Sequence, residues 1–288
     1  MSALGGLAET AEMIKLQHTV FALPFAVIAL VTSTGAAWPS PWTWLWFLVA
    51  MVSARTAAMS FNRLADHGLD ARNPRTASRA LPAGRLGRGF VWAVTLTSMA
   101  LFVVAAAALN PLCLALSGPT LAVLLGYSYA KRFTSLAHLW LGLALAISPV
   151  GAWIAGAGRI EAAPLVLAAA VLLWVAGFDV IYALQDEDFD RSAGLHSLPV
   201  RLGADGALTA ARVMHLGALC AFAGFAVLAG GGVLRLVATA AAGALLLWQH
   251  HLVRPGALDR VDAAFFTANG LLSLLMCGLY LSAKMTGF

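Results

Sequence analysis

Two stretches of this 288-residue chain set oxygen ligands at a helical step. The first reads Asn62-Arg-Leu-Ala-Asp66-His-Gly-Leu-Asp70, and a spacing of four places Asn62, Asp66 and Asp70 on one helix face. The second runs from Asp179 through Tyr182 to Asp186-Glu-Asp-Phe-Asp190, with the same step from Asp186 to Asp190. Hard oxygen ligands hold Mg²⁺, which usually takes a few carboxylates together with substrate phosphates. One such stripe reads equally well as a solvated, charged helix end, whereas two at the same spacing favour a metal site. Cations follow. Arg72, Arg75 and Arg79 come after the first stripe, and Lys131 and Arg132 close the run Tyr127-Ser-Tyr-Ala-Lys131-Arg132. Guanidinium forks and an ammonium beside bound Mg²⁺ are the usual partners of a diphosphate. A basic loop that merely sets membrane orientation is the alternative for any single arginine.

The elements that must carry these residues are membrane helices. The chain is 61% hydrophobic and only 11% charged, with a mean hydropathy of +0.84. Soluble domains run near 45–50% apolar and about 25% charged. That composition excludes secreted, disordered and nucleic-acid-binding classes, and the net charge of +5 becomes a topology signal instead. A spanning helix needs roughly 20 apolar residues. Nine are expected in an all-α, polytopic bundle: 19–36, 42–64, 89–109, 111–130, 136–157, 163–184, 205–229, 233–253 and 262–282. Turn residues fall between them, at Trp38-Pro39-Ser40-Pro41, Asn110-Pro111, Gly230-Gly231-Gly232 and Arg254-Pro255-Gly256. Trp42, Trp44 and Trp46 open the second helix as an interfacial belt would.

Basic residues orient the bundle. Lys15, the arginines between Arg63 and Arg88, Lys131, Arg132, Arg191, Arg201, Arg212, Arg254 and Arg260 share one side, against only Arg159, Arg235 and Lys284 on the other. The positive-inside rule then places the N-terminus in the cytoplasm and the C-terminus outside, in a bacterial inner membrane. No basic start of a cleavable signal peptide precedes the first apolar helix, which is expected to insert by itself. Cys113, Cys220 and Cys277 are widely spaced within apolar stretches, which supports neither a zinc site nor a disulfide framework.

Two gaps are far longer than the hairpin turns elsewhere: Arg63 to Arg88, and Gln185 to about Asp205. Both are cytoplasmic and Asp-rich, and they join helix pairs 2–3 and 6–7, which suggests a duplicated four-helix half. The expected organisation is one domain over 1–288, with halves of about 13–135 and 136–253 and a last helix at 262–282. Charged loops at equivalent places in two halves are where a site would be built.

These residues carry a resemblance. NRLADHGLD at 62–70, RTASRALPAG at 75–84, YSYAKRFT at 127–134 and DVIYALQDEDFDRSAGLHSLPVRLG at 179–203 resemble the UbiA superfamily of membrane prenyltransferases, in its aromatic-acid branch. KLQHTVFALPFA at 15–26 is similar to members that prenylate 4-hydroxybenzoate or a related bicyclic acid. The usual R-P-L-P reads Arg79-Ala80-Leu81-Pro82 here, and the likeness covers essentially the whole chain. The resemblance implies electrophilic prenylation: Mg²⁺ ions bridge the diphosphate and both aspartate motifs, diphosphate leaves, and the ring carbon ortho to the phenol attacks the allylic cation. It implies Asn62 and Asp66 in the first metal site, Asp186 and Asp190 in the second, and Asp70 further out, supporting the basic loop. A naphthoate-type acceptor for menaquinone in place of 4-hydroxybenzoate for ubiquinone is the runner-up. The partners expected are a polyprenyl diphosphate, an aromatic acid and membrane lipid, with no nucleic acid.

Charged residues inside the membrane are costly and mark function by default. Arg55, seven residues before Asn62, shares its face but lies about 10 Å deeper. It is assigned to the acceptor's carboxylate, with a structural ion pair as the alternative. Asp179 stands seven residues before Asp186. Pairing with Arg55, accepting the ring proton and holding a polar network all remain open for it. Tyr127 and Tyr182 either line the cation site or pack in the core. His196 falls where a lid over the diphosphate would lie. Gln17, His18 and Asn269 read as helix–helix hydrogen bonds, and His250 and His251 as interfacial. From a different class, a secondary transporter of an anionic metabolite would also show intramembrane charges and repeated halves, but has no need for two carboxylate stripes beside an arginine-rich loop.

Overall fold

The computed structural model describes residues 9, 19–253 and 260–287; Lys15, Gln17, His18 and Arg254 lie outside the described residues. Among the described residues the regular structure is helical throughout. The long elements are α1 (Thr19–Ser33), α2 (Pro41–Asp70), α3 (Arg88–Leu109), α4 (Pro111–Gly126) and α5 (Ala137–Ala157). They continue with α6 (Ala162–Ala183), the short α7 (Glu187–Ser192), α8 (Leu198–Leu228), α9 (Val233–Leu252) and α10 (Val261–Thr286). Eight of these helices are long and apolar enough to cross a membrane, and Phe21–Ser33 in α1 is a shorter apolar helix. The chain is an integral membrane protein. Leu247, Leu216, Val227 and Val213 are exposed, as lipid-facing side chains are.

Local chemistry sets the helix ends. Asn110 caps α4 by accepting a hydrogen bond from the Cys113 N–H at 2.9 Å, with Pro111 at the first helical position where its missing N–H costs nothing. Two helices depart from the expected bounds. α2 runs past the apolar stretch to Asp70, so the whole first stripe sits on one continuous helix. α8 begins at Leu198 with Ser197 as its cap, then breaks at Gly203, whose φ of 69° suits glycine.

Two compact units emerge. Pro41–Tyr129 form one; Val20–Ser40 and the described residues from Ala130 onward form the other. In the first, α2 packs along α3, and α4 closes on both. In the second, α6 is the central helix, packed against α5 and α8. Close approach there depends on small residues: a Cβ on Gly142 of α5 would overlap the Leu172 carbonyl of α6. Trp174 of α6 is fully buried against Phe25 of α1 and Phe178.

Candidate active site

In the first unit, α2 presents the stripe at its C-terminal end. The Asn62 side-chain amide donates to Asp66 Oδ2 at 3.0 Å and to Ser128 Oγ at 3.4 Å, so one amide links the carboxylate to the turn that follows α4. Asn62 and Asp66 are half-buried. Asp70 is different. It is buried, and its two oxygens accept from Arg63 Nη1 at 3.3 Å and Arg79 Nη1 at 2.7 Å. The two carboxylates on this helix face therefore have separate roles, because Asp66 remains with Asn62 while Asp70 is taken up by two guanidiniums.

That ion triad holds the basic loop. Thr76 Oγ1 donates to the Asp70 carbonyl at 3.0 Å, and Asn73 Oδ1 accepts the Arg75 N–H at 3.0 Å in a local turn. Ala80, Leu81 and Leu86 anchor the loop apolarly beside Leu64 and Val91. Arg79 thus fastens the loop through Asp70, whereas Arg75 is exposed on it. Tyr127 opens a 3₁₀ turn, Tyr127–Arg132, and is half-buried. Arg55 lies deeper on α2, also half-buried.

In the second unit, α6 ends at Ala183 and a 3₁₀ turn, Leu184–Asp186, leads into α7. Asp186 itself has φ −105° and ψ 3°, outside helical geometry. Asp186 and Asp190 therefore do not share one straight helix face as the first stripe does: the expected four-residue stripe is broken at its first member. Both are buried. Lys131 Nζ donates to Asp190 Oδ2 at 3.0 Å and lies within Coulombic reach of Asp179 and Asp186 as well. His196 is exposed, but its backbone N–H donates to the Lys131 carbonyl at 2.7 Å, tying this loop to the turn that carries Lys131. Arg132 is exposed beside it.

Asp179 has a partner that sequence reasoning missed. His138 of α5, fully buried, meets Asp179 Oδ2 through Nδ1 at 2.7 Å, and its Nε2 accepts the Leu198 N–H at 3.2 Å. A lone histidine inside an apolar helix was the available signal. Tyr182 packs against Phe265 with ring centroids 4.2 Å apart and the planes tilted by 33°. Phe265 belongs to a π-helical stretch of α10, Ala264–Ala268, where Asn269 donates to the Phe265 carbonyl and accepts from Trp174 Nε1. His250 is half-buried and bonded to His215 at 2.9 Å, while His251 is exposed.

Among the described residues, no three His, Cys, Asp or Glu side chains form a metal cage of their own. The donors offered by Asn62, Asp66 and Asp186 are oxygens, and Mg²⁺ binds through one or two carboxylates while keeping water and phosphate ligands. Within each unit taken by itself, these oxygens suit Mg²⁺ carried by a phosphate-bearing substrate, and the nitrogen and sulfur ligands a structural zinc would take are not among them.

Fold and side chains define a class first: a helical integral membrane protein whose helix ends carry carboxylates with cations alongside. The chain belongs to the UbiA prenyltransferase family, which it matches over residues 22–271. It is 29% identical over 244 residues to a 4-hydroxybenzoate octaprenyltransferase of Aeromonas salmonicida, covering 85% of this chain and 84% of the relative. A protein of the same name from Tolumonas auensis is 30% identical over 261 residues, covering 85% and 90% respectively. The solved apo structure of a UbiA homologue from Aeropyrum pernix K1 superposes with a TM-score of 0.84 at 34% identity, over 93% of this chain and 98% of that one. A homologue from Archaeoglobus fulgidus, solved with GPP and Mg²⁺, shares the fold at 17% identity with a TM-score of 0.78, over 96% and 99% of the two chains.

Proposed function

We propose that this protein transfers a polyprenyl group from a polyprenyl diphosphate to the ring of an aromatic acid, 4-hydroxybenzoate, in quinone biosynthesis. The observation that supports the proposal is the presence of two carboxylate clusters, Asn62/Asp66 and Asp186/Asp190, in a chain whose relatives bear that enzyme's name. Asn62, Asp66, Asp186 and Asp190 would hold Mg²⁺, which when bound neutralises the diphosphate as it leaves. Arg75, Lys131, Arg132 and His196 would meet the diphosphate. Lys131 already offsets Asp190, so it can exchange part of that pairing for a phosphate oxygen. Asp70 and Arg79 would act through the loop they fasten. Arg55, about 10 Å deeper than Asn62, would take the acceptor's carboxylate, and Tyr127 and Tyr182 would face the allylic cation with their rings. The polyprenyl tail would lie in lipid, and the site would open to the cytoplasm of a bacterial inner membrane, with the C-terminus outside.

Purified protein in nanodiscs, given radiolabelled geranyl diphosphate, 4-hydroxybenzoate and Mg²⁺, should form a prenylated acid. Asp66→Ala and Asp186→Ala should each abolish product while preserving the fold. Turnover that persists in excess chelator would refute the metal-assisted reading. Product with 1,4-dihydroxy-2-naphthoate alone would move the acceptor to the menaquinone branch.

A further inference from the structure

The buried contact between His138 and Asp179 joins three helices through one imidazole. His138 stands on α5, Asp179 on α6, and the Leu198 N–H opens α8. The hydrogen bonds determine the ring's state. A backbone N–H can only donate, so Nε2, which faces it at 3.2 Å, must be the unprotonated acceptor. The proton then sits on Nδ1 and is donated to Asp179 Oδ2 at 2.7 Å. His138 is thus a neutral imidazole with both nitrogens committed, and its side chain is wholly shielded from solvent.

Asp179 has one hydrogen-bond partner among the described residues, with the Lys131 ammonium within Coulombic reach. Its Oδ2 takes the imidazole proton, Oδ1 has no hydrogen bond among the described residues, and the side chain keeps 19% exposure. Asp179 also precedes Asp186 by seven residues, about 10 Å along the helix. That depth is too great for a diphosphate carried at Asp186. Lys131 Nζ is bonded to Asp190, so Oδ1 can take a hydrogen bond from substrate, and the donor that an aromatic acid brings is its ring hydroxyl.

We propose that His138 is a positioning residue: it orients the Asp179 carboxylate so that Oδ1 receives the ring hydroxyl of the acceptor. The inference rests on the aromatic prenyltransferase reading above. Accepting that hydrogen bond fixes the hydroxyl, and with it the neighbouring ring carbon, without any transfer of the His138 proton. The same ring anchors the first residue of α8, just beyond the segment that Lys131 grips at Asp190 and His196.

Two near-isosteric variants separate the two contacts. In His138→Asn the amide nitrogen replaces Nδ1 and keeps the donor to Asp179, while the acceptor for Leu198 is lost. In His138→Gln the amide oxygen replaces Nε2 and keeps Leu198, while the donor to Asp179 is lost. Positioning of Asp179 predicts that His138→Gln raises the KM for 4-hydroxybenzoate about tenfold, the loss of a hydrogen bond to a charged group. His138→Asn stays near wild type, and geranyl diphosphate KM is unchanged in both. Adding His138→Gln to Asp179→Asn should produce no further loss. If His138→Asn is the damaged variant, or if the two substitutions add, His138 serves α8 alone and the proposal is overturned. Nitrogen-15 histidine NMR of the protein in nanodiscs reads the same contact without turnover: a protonated Nδ1 with a bare Nε2 is expected, and the opposite tautomer or a doubly protonated ring refutes it. A wild-type protein inactive on every aromatic acid, yet showing that tautomer, would count against the acceptor's identity and against Asp179 meeting its hydroxyl, leaving only the structural contact.

Discussion

Removing one carboxylate should loosen the basic loop as a whole. Asp70 accepts from Arg63 at 3.3 Å and from Arg79 at 2.7 Å, with side-chain exposures of 9%, 7% and 25%. In Asp70→Ala, Arg63 stays buried beside a like charge, Arg79, with Asp66 as the carboxylate that still acts on it through space. Breaking a buried ion pair by deleting one partner costs about 3–5 kcal/mol, because the remaining charge is uncompensated. The quarter exposure of Arg79 places this case at the lower end, about 3 kcal/mol. The Thr76 hydroxyl still reaches the residue-70 carbonyl, and Ala80, Leu81 and Leu86 still pack, so the loop should open locally while α2 persists. Hydrogen exchange measured by mass spectrometry should show amides in 73–86 exchanging roughly 100-fold faster, with α3 unchanged. Asp70→Asn, which keeps an acceptor but no charge, should fall between. Unaltered protection of 73–86 in Asp70→Ala would refute the triad as the fastening of the loop, and acceleration spread evenly over α2 and α3 would show a global effect instead.

Other outcomes are equally specific. Arg55→Ala should weaken 4-hydroxybenzoate binding by about 2–5 kcal/mol, the cost of an unpaired buried carboxylate, and leave geranyl diphosphate affinity nearly intact; calorimetry with each substrate separates these, and the reverse pattern moves Arg55 to the diphosphate. Gly177→Ala should lower thermal stability by about 1–3 kcal/mol, because the added methyl would overlap the His215 ring, which is held between the Trp174 carbonyl and His250; an unchanged melting temperature would show that the ring can move aside. Cysteines placed at the exposed Ser78 and Ser192, in a background lacking the three native cysteines, should react with a membrane-impermeant maleimide from the cytoplasmic side only; labelling from outside at either would invert the orientation.

Much of this protein is legible in its sequence, because the bilayer leaves few solutions. With 61% apolar residues and little charge, backbone groups must be satisfied inside helices, so apolar runs and turn residues mark where the helices lie, while the ends of α2 and α8 run past the apolar stretches. The stripe at Asn62, Asp66 and Asp70 was visible for the same reason, since one continuous helix carries it. Periodicity cannot say which partner a side chain takes. Asp66 and Asp70 share a face, yet one is held by Asn62 and the other by Arg63 and Arg79, because only the folded loop brings Arg79 back to α2. The Asp186–Asp190 step read as a helical face until the 3₁₀ turn at Leu184–Asp186 broke it. His138 stands out only as a lone histidine in an apolar helix, which names no partner. Its contacts with Asp179 and Leu198 span 41 and 60 residues, and only the packing of α5, α6 and α8 brings those atoms within hydrogen-bond range. Contacts also group α1 with the helices from α5 onward, since burial follows which apolar faces meet and not the order of the chain.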